Sequence, residues 1–254
     1  MKSALAAAAL LAAAALLAAC SNSTAGGLLA IPFSAAGPAW ADGGPLRFTT
    51  AAGWNVELDA ASIELGPFYF NIDPPNTTEY RSGVVIVESL EQVSLDLLQP
   101  SFVTLDAGAT GETGLAVAVE IDLLPAGWTE ANATVTGPIA SFTGVATPSG
   151  SGTTPVPFSG SISVDPALAS SSTPIEWLQR VSGALCNLDF DGRGALTLRV
   201  DPSTWFDTAD FSALVTGPAD AGSYGWQTSS DFNDAVLGQI QATTGVYAFQ
   251  LSGS

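Results

Sequence analysis

The segment TGLAVAVEIDLL, residues 113–124, sets Leu115, Val117, Val119 and Ile121 at alternate positions, with Ala116, Ala118, Glu120 and Asp122 between them. A period of two puts the first set on one face of a strand and the second on the other, a spacing no helix can use to build an apolar stripe. The pattern recurs. In GWNVELDA, Trp54, Val56 and Leu58 alternate with Asn55, Glu57 and Asp59. SIELGPFYFNI continues it past a bend at Gly66-Pro67. GVVIVESL, QVSLDLLQP and the closing GVYAFQLS read as further strands, and TVTGPIASFTGVATP with PVPFSGSISVDP reads as a pair joined by the flexible loop TPSGSGTTP. Strands this frequent, with turn signals between them, predict an all-β antiparallel sandwich, since a parallel α/β sheet needs helices between its strands.

Two short helices are expected within it. Thr173, Pro174 and Glu176 form a capping box, with Ile175, Leu178 and Val181 on one face. In SSDFNDAVLGQIQ, Phe232, Val236 and Ile240 recur at helical spacing. No internal repeat or composition shift divides the chain, so one embellished sandwich over 46–254 is the economical reading, with two stacked small sandwiches as the alternative.

The N-terminus is of a different kind. MKSALAAAALLAAAALLAAC joins Lys2 to sixteen consecutive Ala and Leu, Ala4 to Ala19, ahead of Cys20. Such a run is short for a permanent span and has no basic stop-transfer flank, so residues 1–19 read as a removable secretory signal. Leu17-Ala18-Ala19-Cys20 resembles the lipobox of bacterial lipoproteins. That resemblance implies cleavage before Cys20, a thioether-linked diacylglycerol on its sulfur and N-acylation, with palmitate-like chains holding the protein to a membrane. Ser21, in place of Asp, implies delivery to the outer membrane, facing either the periplasm or the exterior. Residues 20–45, rich in Ser, Ala, Gly and Pro, read as a tether to the folded body, with apolar Leu28 to Phe33 able to pack back onto it.

Composition then removes most chemistries. There is no histidine, and Lys2 is the one lysine. The Ser-His-Asp triad, the Cys-His pair and the HExxH zinc site are excluded together, as are Schiff-base chemistry and a P-loop in the mature chain. Loss of Lys2 takes the formal net charge from −18 to −19. That surface repels nucleic-acid phosphates and anionic lipid heads, which leaves cations or basic partners as the electrostatically permitted ligands; an envelope protein or a glycan is the expected kind of partner. FDTAD, 206–210, resembles the Asp-Thr-Gly of aspartic proteases but carries Ala209 where glycine is required, and it occurs once. With Cys20 acylated, Cys186 is the remaining thiol and reads as a small apolar residue.

Two constellations stay open. In NLDFDGRG, Asn187, Asp189, Asp191 and Gly192 match the first half of a calcium-binding EF-hand loop, but its twelfth position is Leu198 rather than glutamate. The same residues fit a β-hairpin in which Leu188 and Phe190 point inward and Ala195 to Val200 returns beside them; Asp201, Asp207 or Asp210 could help such a row recruit calcium. Among six tryptophans, Trp128 in LLPAGWTEAN and Trp226 in GSYGWQTSS lie in loops, where an aromatic face could stack on a sugar ring or plug the end of a sandwich. The Trp-bearing first strand pair, VSLDLLQP and the closing aromatic strand are similar to uncharacterised bacterial lipoproteins with an immunoglobulin- or transthyretin-like sandwich. The resemblance implies fold and location, with a jelly-roll as the other arrangement of such strands. The expectation is a non-enzymatic, membrane-anchored envelope protein, alternatively a calcium- or carbohydrate-binding module.

Overall fold

The computed structural model describes residues 27–73, 83–128, 137–150, 154–168, 170, 178–216 and 222–253. The all-β expectation holds. Among the described residues thirteen strands build two sheets, and one α-helix accompanies them.

The larger sheet runs β11 (Arg180–Phe190), β8 (Gly114–Asp122), β4 (Phe68–Asn71), β5 (Val85–Ser89), β7 (Val103–Glu112), β1 (Leu28–Ala36), β12 (Ala195–Val200), β13 (Tyr247–Ser252). Its terminal strands β11 and β13 lie against each other, and the Leu185 amide donates to the Thr243 carbonyl at 3.2 Å, so the sheet curls toward a barrel. The smaller sheet is β10 (Val156–Ile162), β9 (Ala140–Pro148), β3 (Trp54–Leu65) and β2 (Leu46–Thr49), with β6 (Val93–Asp96) on the far half of β3. The β9–β10 hairpin is the pair the sequence predicts.

β3 runs the length of the small sheet, with β9 along one edge and β2 and then β6 along the other. Trp54, Val56 and Leu58 are buried as expected; a bulge between Leu58 and Ala60 then shifts the parity, so that Ala61, Ile63 and Leu65 continue the same buried face. At Gly66 the chain leaves the small sheet, and β4 begins in the large one. Only glycine fits there: φ is +99°, and a Cβ would stand 2.4 Å from the Glu91 carbonyl oxygen.

Three expectations need correction. Leu28–Ala36, placed in the tether, is a strand with antiparallel β7 on one side and parallel β12 on the other, and Phe33 and Ala35 are fully buried. Its Pro and Ala content hides an alternation in which Leu29, Ile31, Phe33 and Ala35 are buried. The pairing with β12 also makes the large sheet mixed rather than wholly antiparallel. In β8 the expected alternation holds for Val119 and Ile121, both buried in the core, and fails at the start of the strand. Leu115 is exposed while Ala116 is buried, and from Ala118 onward both faces are covered, Glu120 and Asp122 included. The helix read from Thr173 to Val181 has its first turn, up to residue 177, outside the described residues, and Val181, assigned to its face, belongs to β11.

The interior is one continuous core with two aromatic centres. Inside the large sheet, Phe70 meets Phe33, Phe190 and Phe249 edge-on at 5.4 to 6.3 Å. Under the small sheet, Phe206 touches Phe48, Phe142, Phe158 and Phe211 at 5.3 to 6.3 Å. Phe206 is delivered by the irregular segment that follows β12, and helix α1 (Asp231–Ile240) closes over it. The predicted helix is present: Ser230 caps it by accepting from the Asn233 amide at 3.2 Å, and Phe232, Val236 and Ile240 are buried. Tyr247 of β13 donates its hydroxyl to the Ile240 carbonyl at 2.9 Å, tying the helix end to the large sheet.

Candidate functional site

Residues 187–194 begin as the sequence predicts. Leu188 and Phe190 are buried, and Asn187, Asp189 and Asp191 are exposed. The hairpin itself does not form. β11 pairs with β8, whereas β12 pairs with β1 and β13, so the turn joins strands that are not partners. An alternating return strand carries no mark of which edge it will join, and β13 takes the place a direct hairpin would fill. Asn187 sits at a bulge with φ of 50°, Asp189 lies on the strand, and the Asp191 carboxylate accepts from the Arg193 amide at 2.9 Å. The three are thus spread over a bulge, a strand and a turn.

The acids that could have assisted them are used elsewhere. Asp201 accepts from the Ser203 amide at 2.9 Å and the Trp40 indole at 3.1 Å, Asp207 from the Ala51 amide at 2.8 Å, and Asp210 from the Ser212 amide at 2.9 Å. Asp207 and Asp210, the carboxylates of FDTAD, therefore brace chain turns. Among the described residues, no group of three or more His, Cys, Asp or Glu side chains is placed to hold a metal ion.

Trp226 acts as a plug. Its indole N–H donates to the Ser161 carbonyl at 2.9 Å, its ring packs on Phe232 at 4.9 Å, and it lies so close under Gly160 that a Cβ there would be 2.9 Å from the ring. One edge still borders an open depression of about 430 Å³ beside the start of α1, with Gln227, Ser229 and Asp231. Trp128 is half-buried, and its carbonyl accepts from the Gln92 amide at 3.3 Å. The two tryptophans have separate neighbours: Trp226 packs on β10 and the start of α1, and Trp128 lies in the turn after β8 beside Gln92.

Cys186 is half-buried, and burial pushes its thiol up to about 11. Raising the thiol from 9.0 to about 11 cuts its thiolate fraction about 100-fold at neutral pH. Iodoacetamide at pH 7.5 is expected to modify the folded protein about 100-fold more slowly than the urea-unfolded chain, followed by mass spectrometry. Equal rates would show an open, activated thiol.

Two features escaped the sequence reading. The first is a buried charge cluster: the Arg180 guanidinium meets Glu120 at 2.9 Å and Asp122 at 2.7 Å, with side-chain exposures of 15%, 2% and 10% respectively. Burial holds the Asp122 carboxyl above the usual carboxylate range, a rise partly offset by Arg180. The available signal was scarcity: two acids interrupt an apolar strand, and a chain with five arginines must bring one of them there.

The second is a polar sheet face. Register aligns Ser161, Ser141, Ser62 and Asp96 across β10, β9, β3 and β6, with Ser159 and Thr143 in the next row, their hydroxyls 3.2 Å apart. Together with Asp59 they line a shallow depression of about 490 Å³. These hydroxyls and carboxylates can exchange hydrogen bonds with a neutral polar ligand, and nothing among them is a nucleophile with an activating base.

No family model matches the chain, and no curated protein does. A solved structure, MbnP from Methylosinus trichosporium, aligns over 89% of this chain and 99% of its own, at 12% identity and a TM-score of 0.34. That likeness is too loose to carry a conclusion.

Proposed function

We propose that this is a lipid-anchored protein of the bacterial envelope, held at the outer membrane by acyl chains on Cys20, with a non-enzymatic body that binds or supports an envelope partner. The observation that carries the reading is Leu17-Ala18-Ala19-Cys20 behind Lys2 and sixteen Ala and Leu residues. A body without histidine, in which Asp201 and Asp210 brace turns and Asp122 lies in a buried ion cluster, supports a binding or structural role over catalysis. Two or more acyl chains give stable anchoring, each buried methylene adding roughly 0.8 kcal/mol. The test is Cys20→Ala together with globomycin, which blocks the lipoprotein signal peptidase. The expected result is loss of acyl-chain labelling and of cleavage before residue 20 in the variant, and accumulation of the wild-type precursor under the drug. A variant that is still labelled and cleaved there, with wild-type processing unchanged by the drug, would overturn the reading.

A second reading, a glycan-binding module, is favoured by the hydroxyl rows on the small sheet. Calorimetric titration of the soluble body with envelope polysaccharides tests it, and flat heats remove it.

A further inference from the structure

Leu28, the first residue of β1, is 90% exposed. Register gathers three more exposed aliphatic side chains at the same end of the curled sheet. Leu28 pairs with Glu112, and Gly27 exchanges hydrogen bonds with Thr113, the residue between β7 and β8. Leu115, 52% exposed, lies just beyond it on β8. Asn71 pairs with Ala118, which directs the following Ile72 toward the start of β8; the Ile72 amide donates to the Val84 carbonyl at 3.0 Å. Ile72 and Val84 are 39% and 56% exposed. The turn after β11 closes the same rim, since Gly192 lies beside Leu29 and Thr113.

Seven residues separate Cys20 from Leu28. Fully stretched, they carry Leu28 at most about 29 Å from the acylated cysteine. β1 itself spans about 26 Å from Leu28 to Ala36. To turn the other end of the body toward the bilayer, the link would have to run back along its flank at nearly full extension. Presenting the Leu28 end costs the chain far less freedom.

We propose that the rim of Leu28, Ile72, Val84 and Leu115 is a membrane-facing surface that rests its aliphatic side chains on the lipid to which Cys20 is anchored. The proposal rests on the anchored reading above and adds the orientation of the body. Exposed Glu112 and Asp191 beside the rim disfavour anionic headgroups, Arg193 notwithstanding, so a zwitterionic surface is the fitting one.

The test uses the full-length acylated protein carrying Cys186→Ser, with a nitroxide on Leu115→Cys or on Val103→Cys at the opposite end, where Val103 pairs with Ala35. After reconstitution into vesicles of phosphatidylethanolamine and phosphatidylcholine, power saturation compares collisions with oxygen, enriched in lipid, and with an aqueous nickel complex. The expected result is an oxygen-to-nickel ratio several-fold higher at 115 than at 103. With Cys20 shown by mass spectrometry to be acylated, equal ratios or the reverse order overturn the orientation alone. An unacylated Cys20 removes the anchor, and the orientation with it.

Discussion

Arg180→Ala is expected to lower the stability of the body by about 3–5 kcal/mol at neutral pH, because it leaves Glu120 and Asp122 buried without their shared cation. For a domain of this size that is a fall in the thermal midpoint of roughly 10 °C. The loss should depend on pH in a definite sense. A carboxyl whose folded pKa is raised contributes stability in full below its unfolded value, near 3.8 for Asp122, and loses it as pH rises through the folded value. Removing Arg180 takes away the interaction that holds the Asp122 value down, so it climbs further. The gap between wild type and variant is therefore widest near pH 7 and narrows toward pH 4. Urea unfolding across that range checks it. Adding Glu120→Gln and Asp122→Asn to an Arg180→Met background should recover most of the loss, since no charge then remains buried. A gap that is constant with pH would show that Arg180 acts through packing instead.

Phe206→Ala is expected to cost about as much, 3–5 kcal/mol, by a different route. The ring is fully buried and touches four other aromatic rings, so truncation opens a cavity that a two-sheet frame can collapse around only in part. The loss should be independent of pH between 4 and 7, in contrast to Arg180→Ala, and Phe206→Leu should cost markedly less. Near-ultraviolet circular dichroism should lose intensity as Trp205 and Phe142 loosen, because they pack at 5.5 Å within the same cluster. Unchanged urea midpoints would mean that the segment after β12 is not the lid over the small sheet that its contacts describe.

Much of the frame was legible because burial on one face writes a period of two. The inward Trp54, Val56 and Leu58, the β9–β10 hairpin and helix α1 all follow from local pattern and capping. What could not be read was partnership. β11 and β12 look like the arms of a hairpin, and β1 looks like part of a linker, because both depend on pairings across 47 to 163 residues that leave no mark on the strands themselves. The start of β8 misleads in a related way: Ala116 is buried and Leu115 exposed, so hydrophobicity alone selects the wrong residue there. The candidate sites were legible to the same degree. Exposure of Asn187, Asp189 and Asp191 followed from alternation; the capture of Asp191 by its own turn is a local detail that alternation does not write, and the packing of Trp226 beneath Gly160 is a tertiary fact.

The parallel pairing of β1 with β12 joins Phe33 to Leu196, residues 163 apart. A nascent chain that has passed β1 and β7 still holds one side of β1 with open amides and carbonyls, and the partner for that side is made far later. Vectorial synthesis thus yields a polypeptide whose large sheet cannot be completed early, however stable its hairpins are. Such a chain keeps an unfinished, threadable form until most of it has been translated, and it needs protection of that bare edge from other strands for the same interval.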